Sequence, residues 1–264
     1  MKKLITLCFL IGVLFSCTRV PISGRKQMNL HSEQSLIEMS TQQYAEFLSN
    51  SEVVTYGEET EMVKRVGKKM AKATELFLKK NNALDRVKGF DWEFNLVRNE
   101  QLNAWCMPGG KICFYTGILK VTEDETGLAV VMGHEIAHAI ARHGNERMSK
   151  GGMVNLGSQV LDVAISEQSE AARYLLLNAY GVGTTVGYVL PFSRKHELEA
   201  DMMGLVFMQL AGYDAGKAVD FWKRMSENGT EVPEFLSTHP NDEMRVQKIR
   251  EFLKSDDFWK YTNQ

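Results

Sequence analysis

Apolar residues recur at helical spacing along most of the chain. Between Glu58 and Lys80, Met62, Val66, Met70, Leu76 and Phe77 fall on one helical stripe, which marks it as core. A shorter helix is expected from Ser35 to Leu48. At Asp91 the period changes to two: Trp92, Phe94 and Leu96 point one way and Glu93, Asn95 and Val97 the other, the pattern of a strand. Asn103 to Met107 and Lys111 to Tyr115 read as the two arms of a hairpin. Leu128, Val131, Ala137 and Ala141 then supply the apolar positions of a buried helix, and Thr122-Glu123-Asp124-Glu125 ahead of them has the form of a capping box.

Tyr174 to Ser193 carries no formal charge over 20 residues, but Asn178, Gly181, Gly183, Gly187 and Pro191 interrupt it. A helix followed by a glycine-rich loop is expected there, with a membrane hairpin as the alternative. Further helices are expected from Ser193 to Gly212, from Ala215 to Glu227 with Asn228-Gly229 as the stop, and from Thr238-His239-Pro240 to near Lys254. The sum is an α+β chain, mainly helical, with a small antiparallel sheet.

Composition narrows this. With 44% hydrophobic and 24% charged residues in 264, the chain is an ordinary globular one, and a net charge of −2 gives no general attraction to nucleic acid. Lys2 and Lys3 precede an apolar run from Leu4 to Phe15, too short to span a bilayer but suited to a secretory signal. Leu14-Phe15-Ser16-Cys17 resembles a bacterial lipobox, in which Cys17 is acylated; a plain cleavable signal is the alternative. The expected layout is a leader over 1–17, a tether over 18–31 and a single domain over 32–264. The lipid would anchor that domain to a membrane outside the cytoplasm. Of the remaining cysteines, Cys106 and Cys113 would face each other if Gly109-Gly110 formed a two-residue turn, making a disulfide feasible. Another register would offset them and leave two thiols.

The chemistry centres on His134-Glu135-Ile136-Ala137-His138. Two imidazoles four residues apart share a helix face and can hold one zinc ion, while Glu135, one residue round, faces its water. A catalytic zinc takes three protein ligands, so another must come from elsewhere. The long motif that continues to a third His would need Gly at 141 and His at 144; here Ala141 and Gly144 stand there, and His143 reads as a polar helix-end residue. Downstream, His196-Glu197-Leu198-Glu199-Ala200-Asp201 puts Glu197 and Asp201 four apart on one face.

Together with Asn103-Ala104-Trp105 and Pro108-Gly109-Gly110, these two motifs resemble the CAAX prenyl protease/HtpX family of zinc metallopeptidases, in its soluble BepA/LoiP-like branch, over about Glu58 to Arg250. The resemblance implies a zincin-like domain with its sheet over the metal helix and one zinc per chain, held by His134, His138 and Glu197, with Glu135 as general base and then acid. It implies that Asp201 orients a ligating His. His239 and Arg245 would approach the open side and stabilise the oxyanion, and His239 can take the fourth metal position and hold such an enzyme latent. Lys111, Ile112, Cys113, Phe114 and Tyr115 would align an extended polypeptide substrate. Glu199 reads as a solvated or structural carboxylate, and His196 has ligating chemistry but not the family position.

The chain departs from the membrane-embedded relatives in having no clear transmembrane helix beyond its leader, and from the longer ones in lacking tetratricopeptide repeats. The implied function is an envelope endopeptidase acting on unfolded or misassembled proteins, with a chaperone-like assembly factor as the rival. The sequence carries no signal for oligomeric state.

Overall fold

The computed structural model describes residues 17–227, His239 and residues 243–263. The leader up to residue 16, the stop at Asn228-Gly229, and Thr238 and Pro240 lie outside the described residues. Antiparallel strands β1 (Cys17–Arg19) and β2 (Lys26–Met28) come first, then helices α1 (Glu33–Ser49) and α2 (Glu58–Lys80). Strands β3 (Glu93–Val97), β4 (Ala104–Met107) and β5 (Lys111–Tyr115) form a second sheet. Helices α3 (Thr116–Thr122), α4 (Glu125–Ile140), α5 (His143–Ala164) and α6 (Glu170–Thr184) follow. A π-helical turn over Thr185–Val189 runs into α7 (Leu190–Leu210), and α8 (Ala218–Glu227), α9 (Glu243–Leu253) and α10 (Asp256–Thr262) complete the chain.

The core is built on α4, as its pattern predicts: Leu128, Val131, Ala137 and Ala141 are fully buried. Its cap differs from expectation. Thr122 is the last residue of α3, and Asp124 takes the cap, accepting a hydrogen bond from the Gly127 amide at 2.8 Å. In α2 the buried stripe is Val63, Val66, Met70, Phe77 and Leu78, whereas Leu76 is half exposed. Helices α4 and α7 cross in backbone contact at Gly133 and Gly204. A Cβ on Gly133 would lie 2.8 Å from the Gly204 carbonyl oxygen, and one on Gly204 2.8 Å from the Gly133 carbonyl carbon. Because Glu197, Asp201 and Gly204 share one face of α7, this contact carries both carboxylates to the neighbour of Gly133, His134.

The sheet over α4 is mixed, not antiparallel throughout. Its order is β3-β5-β4, with β4 antiparallel and β3 parallel to β5. Strand β5 is therefore central and both of its backbone edges are taken, so Lys111–Tyr115 cannot pair with a substrate strand. The outer side of β3 bonds to residues 52–54. Strand β4, lying against α4, forms no backbone pairing on its outer side among the described residues. Met107 pairs with Lys111 across a three-residue loop, in which Gly109 and Gly110 have φ of 90° and 80°. That register sets Cys106 opposite Ile112 and Cys113 opposite Trp105, so the two cysteines are offset and remain thiols.

Two further expectations are corrected. Residues 18–31 are folded onto the domain and do not form a tether: Val20 is buried, and the Gln27 amide donates to the Ala141 carbonyl at 2.7 Å. The glycine-rich stretch is helical, since each internal glycine costs only about 1 kcal/mol and no proline intervenes before Pro191, at the start of α7. The resulting helix, Glu170–Leu210, is long and apolar enough to cross a membrane by length and composition, and no α6 residue is buried.

Candidate metal centre

Four donor atoms from three parts of the chain converge beneath β4. His134 and His138 rise from successive turns of α4, Glu197 comes from α7, and His239 from the stretch between α8 and α9. His134 Nε2 lies 3.1 Å from His138 Nε2, 3.1 Å from His239 Nδ1 and 3.2 Å from Glu197 Oε2. His239 Nδ1 to Glu197 Oε2 is 3.0 Å, and His138 Nε2 to Glu197 Oε1 is 3.5 Å. A tetrahedral zinc with bonds of about 2.0–2.1 Å requires donors about 3.3–3.4 Å apart. The cage therefore has the size and donor chemistry of a zinc site.

Charge and burial agree with that fit. Glu197 Oε1 is buried without a hydrogen-bond partner, as is Glu135 Oε1. Burial works against a charge on both histidines; Asp201 and Glu197 nonetheless raise the pKa of His134 to about 9, whereas His138 is pushed well below the ordinary histidine value. Glu135 is outside the cage but beside it, its Oε1 3.5 Å from His239 Nε2. Burial pushes its carboxyl above the usual range, which suits a group that must take up a proton and release it.

Asp201 Oδ1 lies 2.9 Å from His134 Nδ1. The carboxylate accepts the Nδ1 proton, leaving the Nε2 lone pair for a metal. Arg245 Nη1 donates to the His239 carbonyl at 3.2 Å and lies 3.7 Å from Glu197 Oε2. Its Nε and Nη2 donate to the two oxygens of Asp201 at 2.9 and 2.8 Å, and its guanidinium stacks 4.1 Å over the buried ring of Trp222. It neutralises the buried Asp201 carboxylate. Replacing Arg245 with Leu leaves that buried carboxylate without its cation and is expected to cost about 3–5 kcal/mol, read as a lowered urea midpoint.

On the far side of His138 lies a polar group that the sequence did not disclose. His143 Nδ1 is 2.9 Å from His138 Nδ1, and its Nε2 is 3.2 Å from Glu199 Oε2. Helix periodicity alone would turn His143 away from His138. Arg142, in the left-handed region at φ 56°, breaks the helix and folds His143 back. Glu199 is buried and not solvated: burial opposes its charge, but hydrogen bonds from His143, Arg25 and Ser23 hold its carboxyl at about 2. His196 lies outside the cage; its Nε2 is 3.1 Å from Glu146 Oε2 and its ring stacks on His143.

A helix carrying H-E-x-x-H, joined by a glutamate from a second helix under a small sheet, defines a metallopeptidase of the two-His, one-Glu kind. The chain matches peptidase family M48 over residues 58–253 and belongs to that family. Its similarity extends to mitochondrial metalloendopeptidase OMA1 of Schizosaccharomyces pombe, 32% identical over 240 residues that cover 89% of this chain and 66% of the relative. Human metalloendopeptidase OMA1 is 28% identical over 256 residues, covering 91% of this chain and 47% of the relative. The putative beta-barrel assembly-enhancing protease of Vibrio cholerae is 32% identical over 168 residues, covering 60% and 34%. The chain thus spans about a third to two thirds of these relatives' lengths.

Proposed function

We propose that this chain is a zinc-dependent endopeptidase that cleaves unfolded or misassembled polypeptides in a bacterial envelope, with Cys17 as its lipid anchor. The observation that carries the reading is the convergence of His134, His138 and Glu197 beside a buried, unbonded carboxylate, Glu135. The names of the relatives, a mitochondrial metalloendopeptidase and a beta-barrel assembly-enhancing protease, support the peptidase class.

The three ligands would hold one zinc ion, which when bound supplies Lewis-acid polarisation and lowers the pKa of water to about 7. Glu135 takes the proton of the attacking water and returns it to the leaving amine. The outer edge of β4, Ala104 to Met107, pairs with the substrate backbone and lays it along α4. Asp201 and Arg245 keep the Nδ1 proton on His134 throughout.

The test is metal content by mass spectrometry with casein cleavage by the same preparation. One zinc per chain and cleavage are expected; a chain that never acquires metal ends this reading. Stripping the ion with a chelator should lower the melting temperature by several degrees, because ligand at 100 times its Kd stabilises by about 2.7 kcal/mol. Cys17→Ala should release the protein from the membrane fraction. One observation favours a second reading, a client-binding assembly factor that seldom cuts: His239 completes the cage. That reading expects a Glu135→Gln chain to rescue a deletion strain fully.

A further inference from the structure

We infer that His143 positions the second zinc ligand, His138, and that the β1–β2 hairpin locks His143 in place through Arg25. The inference rests on the zinc reading above and extends it to residues outside the cage.

The proton positions follow from donor and acceptor chemistry. A carboxylate only accepts, so the 3.2 Å contact between His143 Nε2 and Glu199 Oε2 puts the His143 proton on Nε2. The Nδ1 of His143 then carries a lone pair, and at 2.9 Å it accepts the Nδ1 proton of His138. That leaves the lone pair of His138 on Nε2, the atom that faces the cage. His134 reaches the same state directly, with Asp201 as its acceptor. Both ligands are thus fixed as the tautomer a metal needs, one by a carboxylate and the other by a carboxylate acting through an imidazole.

This second arm is held from outside the α4–α7 pair. Arg25 lies in the loop between β1 and β2, and its Nε and Nη2 donate to Glu199 at 2.9 and 2.7 Å. Ser23 of the same loop donates to Glu199 Oε1 at 2.5 Å. The other side of the guanidinium grips Glu146, Nη1 to Oε1 at 2.9 Å and Nη2 to Oε2 at 2.8 Å. Glu146 in turn holds His196, whose ring stacks on His143 at 3.9 Å between centroids. His143 is fully buried, bonded at both ring nitrogens and stacked on one face. A loop near the start of the described chain therefore supplies the cation that keeps Glu199 an acceptor. Loosening it should loosen the metal.

The experiment is a zinc titration of the full chain against a chromogenic chelator, with circular dichroism on each variant. His143→Leu should weaken zinc binding by 10–100-fold. His143→Gln, whose amide both accepts and donates, should recover most of that loss, and Arg25→Gln should weaken binding several-fold. A wild-type chain that binds no zinc overturns the metal reading itself. Wild-type affinity in His143→Leu, or equal loss in the Leu and Gln variants, overturns the positioning role alone. Should His143→Leu not fold, Arg25→Gln decides, and unchanged affinity there overturns the lock.

Discussion

Glu135→Gln is expected to lower casein cleavage by about 10²–10⁴-fold while leaving one zinc per chain. Both halves follow from position. Glu135 lies between the two cage histidines in sequence but contributes no donor to the cage, so the amide should not disturb metal binding. It is buried, its Oε1 is unbonded, and burial has pushed its carboxyl upward, so it is poised to accept a proton. Glutamine has the same shape and cannot take that proton. Cleavage at the wild-type rate by a zinc-loaded Glu135→Gln chain would remove Glu135 from the chemistry and the peptidase mechanism with it.

What the sequence made legible was local. Two histidines four apart on an apolar helix, and Glu197 and Asp201 four apart on another, state the faces they share without any knowledge of the fold. The α2 helix runs over the residues its apolar stripe marked, and the β3 strand lies within those that the change of period marked. What stayed hidden was set by contacts between distant segments. Pairing β3 in parallel with β5 makes β5 central and moves the open edge to β4, and no alternation within a strand reports which neighbour it takes. The packing of α4 on α7 depends on Gly133 meeting Gly204, two glycines that look unremarkable in their own helices. Residues 18–31 have the Pro, Ser and Gly content of a linker, and only their partners Glu146, Glu199 and Ala141 make them structural. Nothing in the periodicity around Arg245 points to Asp201, its partner on another helix.

His239→Ala is expected to raise cleavage of casein, and the size of the rise measures how far the cage is closed. A catalytic zinc would keep one position for water and substrate, and here His239 offers a fourth protein donor to the cage. His239 Nδ1 stands 3.0 Å from Glu197 Oε2 and 3.1 Å from His134 Nε2, and its Nε2 faces Glu135 at 3.5 Å. One ring would thus take the position meant for water, and it lies beside the base. His134, His138 and Glu197 are set on α4 and α7, whereas His239 lies outside both helices, its carbonyl held by Arg245 of α9 at 3.2 Å. If nine chains in ten are closed, removing the ring raises turnover about tenfold, because activity scales with the competent fraction. The gain must vanish in the double variant with Glu135→Gln, which separates opening of the cage from a new activity. A fall in cleavage would instead assign His239 to stabilising the transition state, and the closed cage would then be the form from which an active chain begins its cycle.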